Sequence, residues 1–135
     1  MNVKAVFIFS DFEKAVTNLR AAAAEAESPL EIDGAIKRFE LCYELAWKLM
    51  KEHLSDSGII CKNPRDCFKA AKENDLITEE TKWLKMIEDR NQLVHCYTYE
   101  QSREIYLHIK STHVNSVSHF YKKIKKYYSK NNSKK

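Results

Sequence analysis

The side chains best suited to chemistry lie together in one short string, Asp89-Arg90-Asn91-Gln92-Leu93-Val94-His95-Cys96-Tyr97. Arg90 carries a permanent charge on a planar fork that binds anions, and His95 carries an imidazole that exchanges protons near neutral pH. Arg90 also falls on the apolar stripe that Trp83 and Ile87 form at helical spacing. Because a buried guanidinium is costly unless it is paired, Arg90 is expected either to meet a glutamate across the fold or to line a cleft.

This string resembles the R-polar-x-x-x-H-x-Y motif of the HEPN proteins, whose defined positions are occupied here by Arg90, Asn91, His95 and Tyr97. Arg103 and His108 repeat the spacing of the Arg90–His95 pair, but a charged residue, Glu104, follows the arginine and Lys110 stands at the tyrosine position, so we interpret this second match as coincidence. Other segments resemble landmarks of the nucleotidyltransferase substrate-binding branch of the family: Phe39-Glu40, Glu44-Leu45-Ala46-Trp47-Lys48, Pro64-Arg65, Trp83 and Met86. The resemblance covers about residues 10–110. Three positions of the motif depart from the small polar residues usual in that branch, namely Leu93, Val94 and Cys96.

The resemblance implies a metal-independent endoribonuclease in which a ribose 2′-hydroxyl attacks the neighbouring phosphate. His95 would act as general base or acid, Arg90 would stabilise the charge on the phosphorane oxygens, and Asn91 would add a neutral hydrogen-bond donor. No metal and no cofactor is expected. Tyr97 would be the residue that a partner enzyme adenylylates. The alternative is that Tyr97 is a core tyrosine whose hydroxyl finds a buried partner.

Two acids on one helical face are candidates for orienting Arg90. Glu40 and Glu44 lie four residues apart, one helical turn from each other. The alternative is that Glu44 and Lys48 form an i, i+4 pair on the surface with no part in catalysis.

The resemblance also implies a homodimer that works beside a minimal nucleotidyltransferase, as toxin and antitoxin. Two functions compete: a ribonuclease toxin silenced by its partner, and a non-catalytic subunit that presents a substrate to the nucleotidyltransferase. Arg90 and His95 favour the enzyme, whereas an acidic body that attracts RNA poorly favours the binding subunit. On an ideal helix His95 lies roughly 140° round the axis from Arg90. Either the helix ends or distorts near His95, or a second subunit completes each site.

Helical periodicity and capping motifs predict an all-α protein, and two glycines and two prolines leave few chain breakers. Long helices are expected to begin at three capping boxes: Ser10-x-x-Glu13, Ser28-Pro29-Leu30-Glu31 and Thr98-x-x-Gln101. Asn63 and Thr78 are expected to cap a short helix and a further long one. The last helix has an apolar face made of Tyr106, Ile109, His113, Val117, Phe120, Ile124 and Tyr127. We predict an up-and-down four-helix bundle with an extra short helix, the fold that the HEPN resemblance also implies.

The 135 residues suit one domain. We predict an N-terminal leader at 1–9, the bundle at 10–121 and a basic flexible C-terminal tail at 122–135. The net charge is +4, yet seven of the 23 lysines and arginines follow Tyr121, so residues 1–121 carry 16 basic and 19 acidic side chains, about −3. The tail could contact RNA phosphates or serve as a frayed, solubilising terminus.

The remaining cysteines, histidines and tryptophans are given structural interpretations. Cysteine spacing fits no metal site, so we expect reduced thiols in a cytoplasmic protein that has no membrane segment: Cys42, Cys61, Cys67 and Cys96. Four isolated histidines are interpreted as core or surface residues, namely His53, His108, His113 and His119. Trp47 and Trp83 are interpreted as core or interface residues.

Overall fold

Every regular element that the structure describes is helical. The computed structural model describes the backbone of residues 2–133 and the side chains of residues 2–128. The elements are α1 (Val3–Glu25), α2 (Pro29–Ser55), α3 (Pro64–Glu73), α4 (Glu80–Gln92), a 3-10 turn (Leu93–His95), α5 (Tyr99–His108), a π-helical turn (Ile109–His113) and α6 (Val114–Ser133). The last three follow one another without a break and form a single C-terminal rod. The predicted all-α fold with an extra short helix is confirmed.

The core is built from α1, α2, α3, α4 and the C-terminal rod. α1 packs against α2 and α6, α2 packs also against α3 and α5, and α3 packs against α4. Four phenylalanines in this core are fully buried, namely Phe12, Phe39, Phe68 and Phe120. Burying one such side chain stabilises the fold by roughly 1.5–3 kcal/mol. The apolar stripes read from the sequence therefore do meet one another.

Most helix starts follow from local side-chain chemistry. Ser28 accepts a hydrogen bond from the backbone of Glu31, whose side chain accepts one in return, and Thr98 and Gln101 do the same. Asn63 caps α3 as predicted. Thr78 does not cap α4, which begins at Glu80 without a side-chain cap.

The predicted leader is part of the bundle. α1 begins at Val3, where the Asn2 side chain accepts a hydrogen bond from the backbone N–H of Ala5 at 3.0 Å. Ala5 and Phe9 are buried, so this end of the helix packs like the rest. Ser10 consequently lies inside the helix, and the expected start near residue 11 is wrong. A Ser-x-x-Glu pattern predicts a cap only where the chain before it is not already helical.

The predicted flexible tail is helical over the part that the structure describes. α6 continues to Ser133, and Ile124 and Tyr128 are buried against the bundle. Tyr127 is 52% exposed, so the apolar face passes through Tyr128 and the expected place of Tyr127 on it is wrong. Lys134 and Lys135, also assigned to the tail, lie outside the described residues.

Two of the four cysteines depart from the expectation of reduced thiols. Cys61, in the loop after α2, forms a disulfide with Cys67 on α3. Cys42 and Cys96 are free thiols. Spacing alone gave no sign of this bond, because the 5.2 Å separation of the two Cα atoms depends on how the loop is arranged against α3. No helix among the described residues has the length and apolar character needed to cross a membrane.

Candidate functional site

The motif residues lie where helix α4 gives way to a tight turn. α4 ends at Gln92, Leu93 to His95 form the 3-10 turn, and Cys96 has extended backbone angles. The side chain of Gln101 holds the next segment in place by accepting hydrogen bonds from the backbone N–H of Tyr97 at 2.8 Å and of Thr98 at 3.1 Å. The helix therefore ends near His95, as one of the two predicted alternatives required.

Arg90 both meets a carboxylate and lines a cleft. Its Nη2 lies 3.5 Å from Oε2 of Glu44, and its side chain is 41% exposed. The cleft, which we call the arginine cleft, has a volume of about 330 Å³ and is also lined by Trp47, Arg65 and Asn91. Such a half-exposed ion pair contributes at most about 1 kcal/mol to stability. Its main effect is to fix the direction of the guanidinium.

Glu44 makes further contacts, whereas Glu40 makes none with the arginine. Glu44 accepts a hydrogen bond from Trp47 Nε1 at 3.1 Å and lies 4.0 Å from Lys48 Nζ, the surface pair that the sequence suggested. Glu40 is half-buried, and among the described residues it forms no hydrogen bond or ion pair with Arg90.

His95 faces a different cavity. It lines a pocket of about 260 Å³ together with Lys85, Asp89, Gln92, Glu104 and His108, which we call the histidine pocket. Arg90 does not line this pocket. Asn91 borders the arginine cleft and also a shallow groove that His95 shares. One copy of the chain therefore does not bring Arg90 and His95 into the same cavity.

Asp89 is the centre of a polar cluster that the sequence did not indicate. Its side chain is only 4% exposed, and its Oδ2 lies 2.7 Å from Nε2 of His113 and 3.0 Å from Nδ1 of His108. An ionised carboxylate can only accept, so both rings donate. Burial by itself raises the pKa of Asp89, but the hydrogen bonds and charges of His113 and His108 outweigh burial and hold the pKa below its ordinary value.

The π-helical turn makes this cluster possible. In an α-helix, residues five apart are roughly 140° apart round the axis, so His108 and His113 would point in different directions. Within the turn the backbone N–H of Val114 bonds to the carbonyl of Ile109, five residues back, which brings residues at that spacing together. The interpretation of His113 as a core residue is confirmed, but neither histidine is isolated. The periodicity of an α-helix therefore could not have predicted that His108 and His113 share a partner.

Tyr97 projects from the turn into solvent. The residue is 82% exposed. Its backbone N–H donates a hydrogen bond to the side chain of Gln101. Tyr97 lies beyond the end of α4, so it does not continue the helical face that carries Arg90. The hydroxyl is nevertheless accessible, as any enzymatic modification requires.

The family of this chain follows from its match over most of its length. Residues 8–126 match the model of the family described as nucleotidyltransferase substrate binding protein like. The chain belongs to this family. The helical fold and the motif from Arg90 to Tyr97 are consistent with that assignment.

Two known proteins are similar in sequence to this family member over more than half of its length. Over 83 residues it is 32% identical to a probable ribonuclease HepT of Haemophilus influenzae; the match covers 58% of this chain and 57% of the relative's length. A solved structure from Thermus thermophilus is 29% identical, with a TM-score of 0.71, and the match covers 84% of this chain and 94% of that one.

Two further structures share the fold. A tri-AMPylated HEPN toxin of Shewanella oneidensis, solved in complex with an MNT antitoxin, has a TM-score of 0.73 at 21% identity; the match covers 93% of this chain and 98% of that one. A substrate-binding domain of a nucleotidyltransferase from Haemophilus influenzae has a TM-score of 0.66 at 24% identity, covering 93% and 99%. This chain therefore shares the helical-bundle fold of both proteins.

The Asp89 cluster predicts how the stability of this family member depends on pH. Because the folded-state pKa of Asp89 is low, its ionised form stabilises the fold above the ordinary carboxyl pKa of about 3.9, and this contribution is lost as the pH falls through the folded-state value. We expect Asp89→Asn to lower the free energy of unfolding by about 1–3 kcal/mol at neutral pH. Below about pH 4 the difference from the wild type should shrink.

Urea unfolding at several values between about pH 3 and pH 7 measures this difference. Asp33→Asn, a change at an exposed carboxylate of α2, is the matched control. A difference between Asp89→Asn and the wild type that stays constant over the whole range would contradict the prediction.

Proposed function

We propose that this chain is the HEPN subunit of a two-component toxin–antitoxin module, a metal-independent ribonuclease silenced by a minimal nucleotidyltransferase through adenylylation of Tyr97. The observation that carries the proposal is the set of side chains at the end of α4. Within six residues of this family member lie Arg90, which is half-exposed and paired with Glu44, the amide of Asn91, and the exposed imidazole of His95. These groups suit cleavage of a phosphodiester.

In the proposed reaction the ribose 2′-oxygen attacks the adjacent phosphorus, and the bond from phosphorus to the 5′-oxygen breaks. His95 exchanges the protons, Arg90 stabilises the charge on the phosphorane oxygens, and Asn91 donates a neutral hydrogen bond. Glu44 orients Arg90 through the 3.5 Å contact. Glu40, which makes no contact with Arg90, has a weaker claim to this role than Glu44.

A second copy of the chain would complete each site. Arg90 and His95 line separate cavities within one copy, although both must act on a single phosphate. In a two-fold dimer, the arginine cleft of one copy can face the histidine pocket of the other. We therefore expect a dimer.

Sedimentation velocity at micromolar concentration tests this expectation, and the expected result is a single species of twice the 15.9 kDa chain mass. A monomer at that concentration would rule out the shared groove.

The direct test of the proposed activity is incubation of the purified protein with RNA in EDTA. We expect cleavage that leaves 2′,3′-cyclic phosphate ends, because the internal 2′-hydroxyl and not water is the nucleophile. Ends that carry a 3′-hydroxyl would contradict this chemistry. We also propose that the protein acts in the cytoplasm, where its proposed RNA substrate is found.

Silencing by the partner rests on the accessibility of Tyr97. The residue is 82% exposed on the turn that also carries His95. An adenylyl group there would add a bulky base and a negative phosphodiester, which would obstruct RNA and repel its phosphates. The AMPylated state of the Shewanella toxin supports this form of control.

The alternative is a non-catalytic substrate-binding subunit of the nucleotidyltransferase. Residues 1–121 carry about −3, which attracts RNA poorly, and the guanidinium of Arg90 is already paired with Glu44. Under this alternative the chain binds the nucleotidyltransferase but leaves RNA intact in the assay above.

A further inference from the structure

The histidine pocket contains a second histidine that does not belong to the family motif. His108, on α5, lines the same cavity of about 260 Å³ as His95, and its side chain is 35% exposed. Its Nδ1 donates to Asp89 at 3.0 Å. The other ring nitrogen, Nε2, makes no hydrogen bond with any described residue, so it is the atom that can serve a ligand in the pocket.

Asp89 cannot easily move away from His108. Its Oδ2 also accepts from His113 at 2.7 Å, and the ring of His113 is fully buried and stacks on Phe39 with a centroid distance of 5.2 Å. On the other side, Lys85 Nζ lies 3.7 Å from Oδ1. A carboxylate held at both oxygens fixes the orientation of the imidazole that it binds. His108 is therefore a preoriented ring at the wall of an open pocket.

The histidine pocket carries side chains of both charge signs. Lys85 is half-exposed, and it is the one lysine or arginine among the described residues that line the pocket. Lys85 pairs with Asp89 and with Glu88, each at 3.7 Å, and Glu104 is an exposed carboxylate at the edge. A phosphodiester bound here would therefore need further positive charge from a protonated imidazole. His113 cannot take part directly, because its Nδ1 is buried and has no partner among the described groups.

We propose that His108 is a second catalytic residue, the general acid of the ribonuclease reaction. This inference rests on the proposed function. His95 takes the proton from the 2′-hydroxyl as the 2′-oxygen bonds to phosphorus. The bond from phosphorus to the 5′-oxygen then breaks, and the imidazolium of His108 gives its proton from Nε2 to that oxygen. Asp89 positions the ring and compensates its charge before transfer, which is why His108 and not His95 is assigned as the acid.

A change of leaving group separates this role from a structural one. An RNA with sulfur in place of the bridging 5′-oxygen releases a thiolate, which leaves without being protonated. We expect His108→Gln to cleave ordinary RNA at least about a hundredfold more slowly than the wild type. On the 5′-thio substrate its rate should come within a few fold of the wild type. His95→Gln, which lacks the base, should be slow on both substrates.

His119→Gln is the matched control, because His119 is exposed on α6 and does not line the histidine pocket. It should cleave both substrates at the wild-type rate. Two results for His108→Gln would overturn the assignment while leaving the proposed ribonuclease intact. One is an equal loss of cleavage rate on the two substrates, which a misfolded variant would also show. The other is no loss of rate on either substrate. If the wild type cleaves neither substrate, the proposed function fails, and this inference fails with it.

Discussion

Replacing His95 with alanine is expected to slow RNA cleavage by about a hundredfold or more, the usual contribution of a positioned acid or base. The fold should be unaffected, because His95 is exposed on the 3-10 turn and is not part of the core. The measurement is the initial rate of cleavage of an end-labelled RNA in EDTA. Circular dichroism and the unfolding midpoint of the same preparation check that the variant is folded.

His119→Ala provides the control for His95→Ala. It removes an exposed imidazole from α6, away from both cavities described above. The control should retain the wild-type rate. Activity that requires Mg²⁺ and persists in His95→Ala would instead indicate a contaminating nuclease, and the non-catalytic binding subunit would become the better account of this chain.

Replacing Tyr97 with phenylalanine is expected to abolish modification by the partner enzyme. Phenylalanine keeps the ring but has no hydroxyl to attack the α-phosphate of ATP, so no adenylyl bond can form. The turn should be unchanged, because Gln101 holds it through backbone groups. After co-expression with the adjacent nucleotidyltransferase, intact mass should show one or more adenylyl units on the wild type and none on Tyr97→Phe.

Tyr99→Phe is the matched control, since Tyr99 lies two residues further on and is 37% exposed. It should be modified like the wild type, and fragment masses should place every adenylyl unit in the peptide that contains Tyr97. The modified wild type should also lose RNA cleavage. An unchanged mass in the presence of an active partner and ATP, or a label on another peptide, would show that adenylylation of Tyr97 is not the control mechanism here.

Helix starts that depend on side chains close by in the sequence could be predicted from the sequence. The start of α2 at Ser28 and Pro29 is decided by side chains within three residues of it, and so is the start of α5 at Thr98. The fold class followed from the apolar stripes, because an amphipathic helix must bury its stripe against a neighbour. The motif from Arg90 to Tyr97 was equally visible, since it is contiguous.

Features that depend on distant contacts could not be predicted. α1 begins at Val3 because Asn2 caps it and also donates to the carbonyl of Glu52, at the far end of α2. The sequence placed the start near residue 11 because Ser10 offered a cap of its own. The sequence left the partner of Arg90 open, and the tertiary structure places Glu44 of α2 within 3.5 Å of its guanidinium.

The Asp89 cluster shows most clearly what the tertiary structure decided. The sequence by itself determined that an aspartate precedes Arg90 and that two histidines lie five residues apart on the last helix. It did not determine that a π-helical turn would direct both rings to one carboxylate, because α-helical periodicity places them on different faces. Burial of Asp89 makes an unpaired carboxylate costly, so the fold retains a local backbone irregularity that satisfies it.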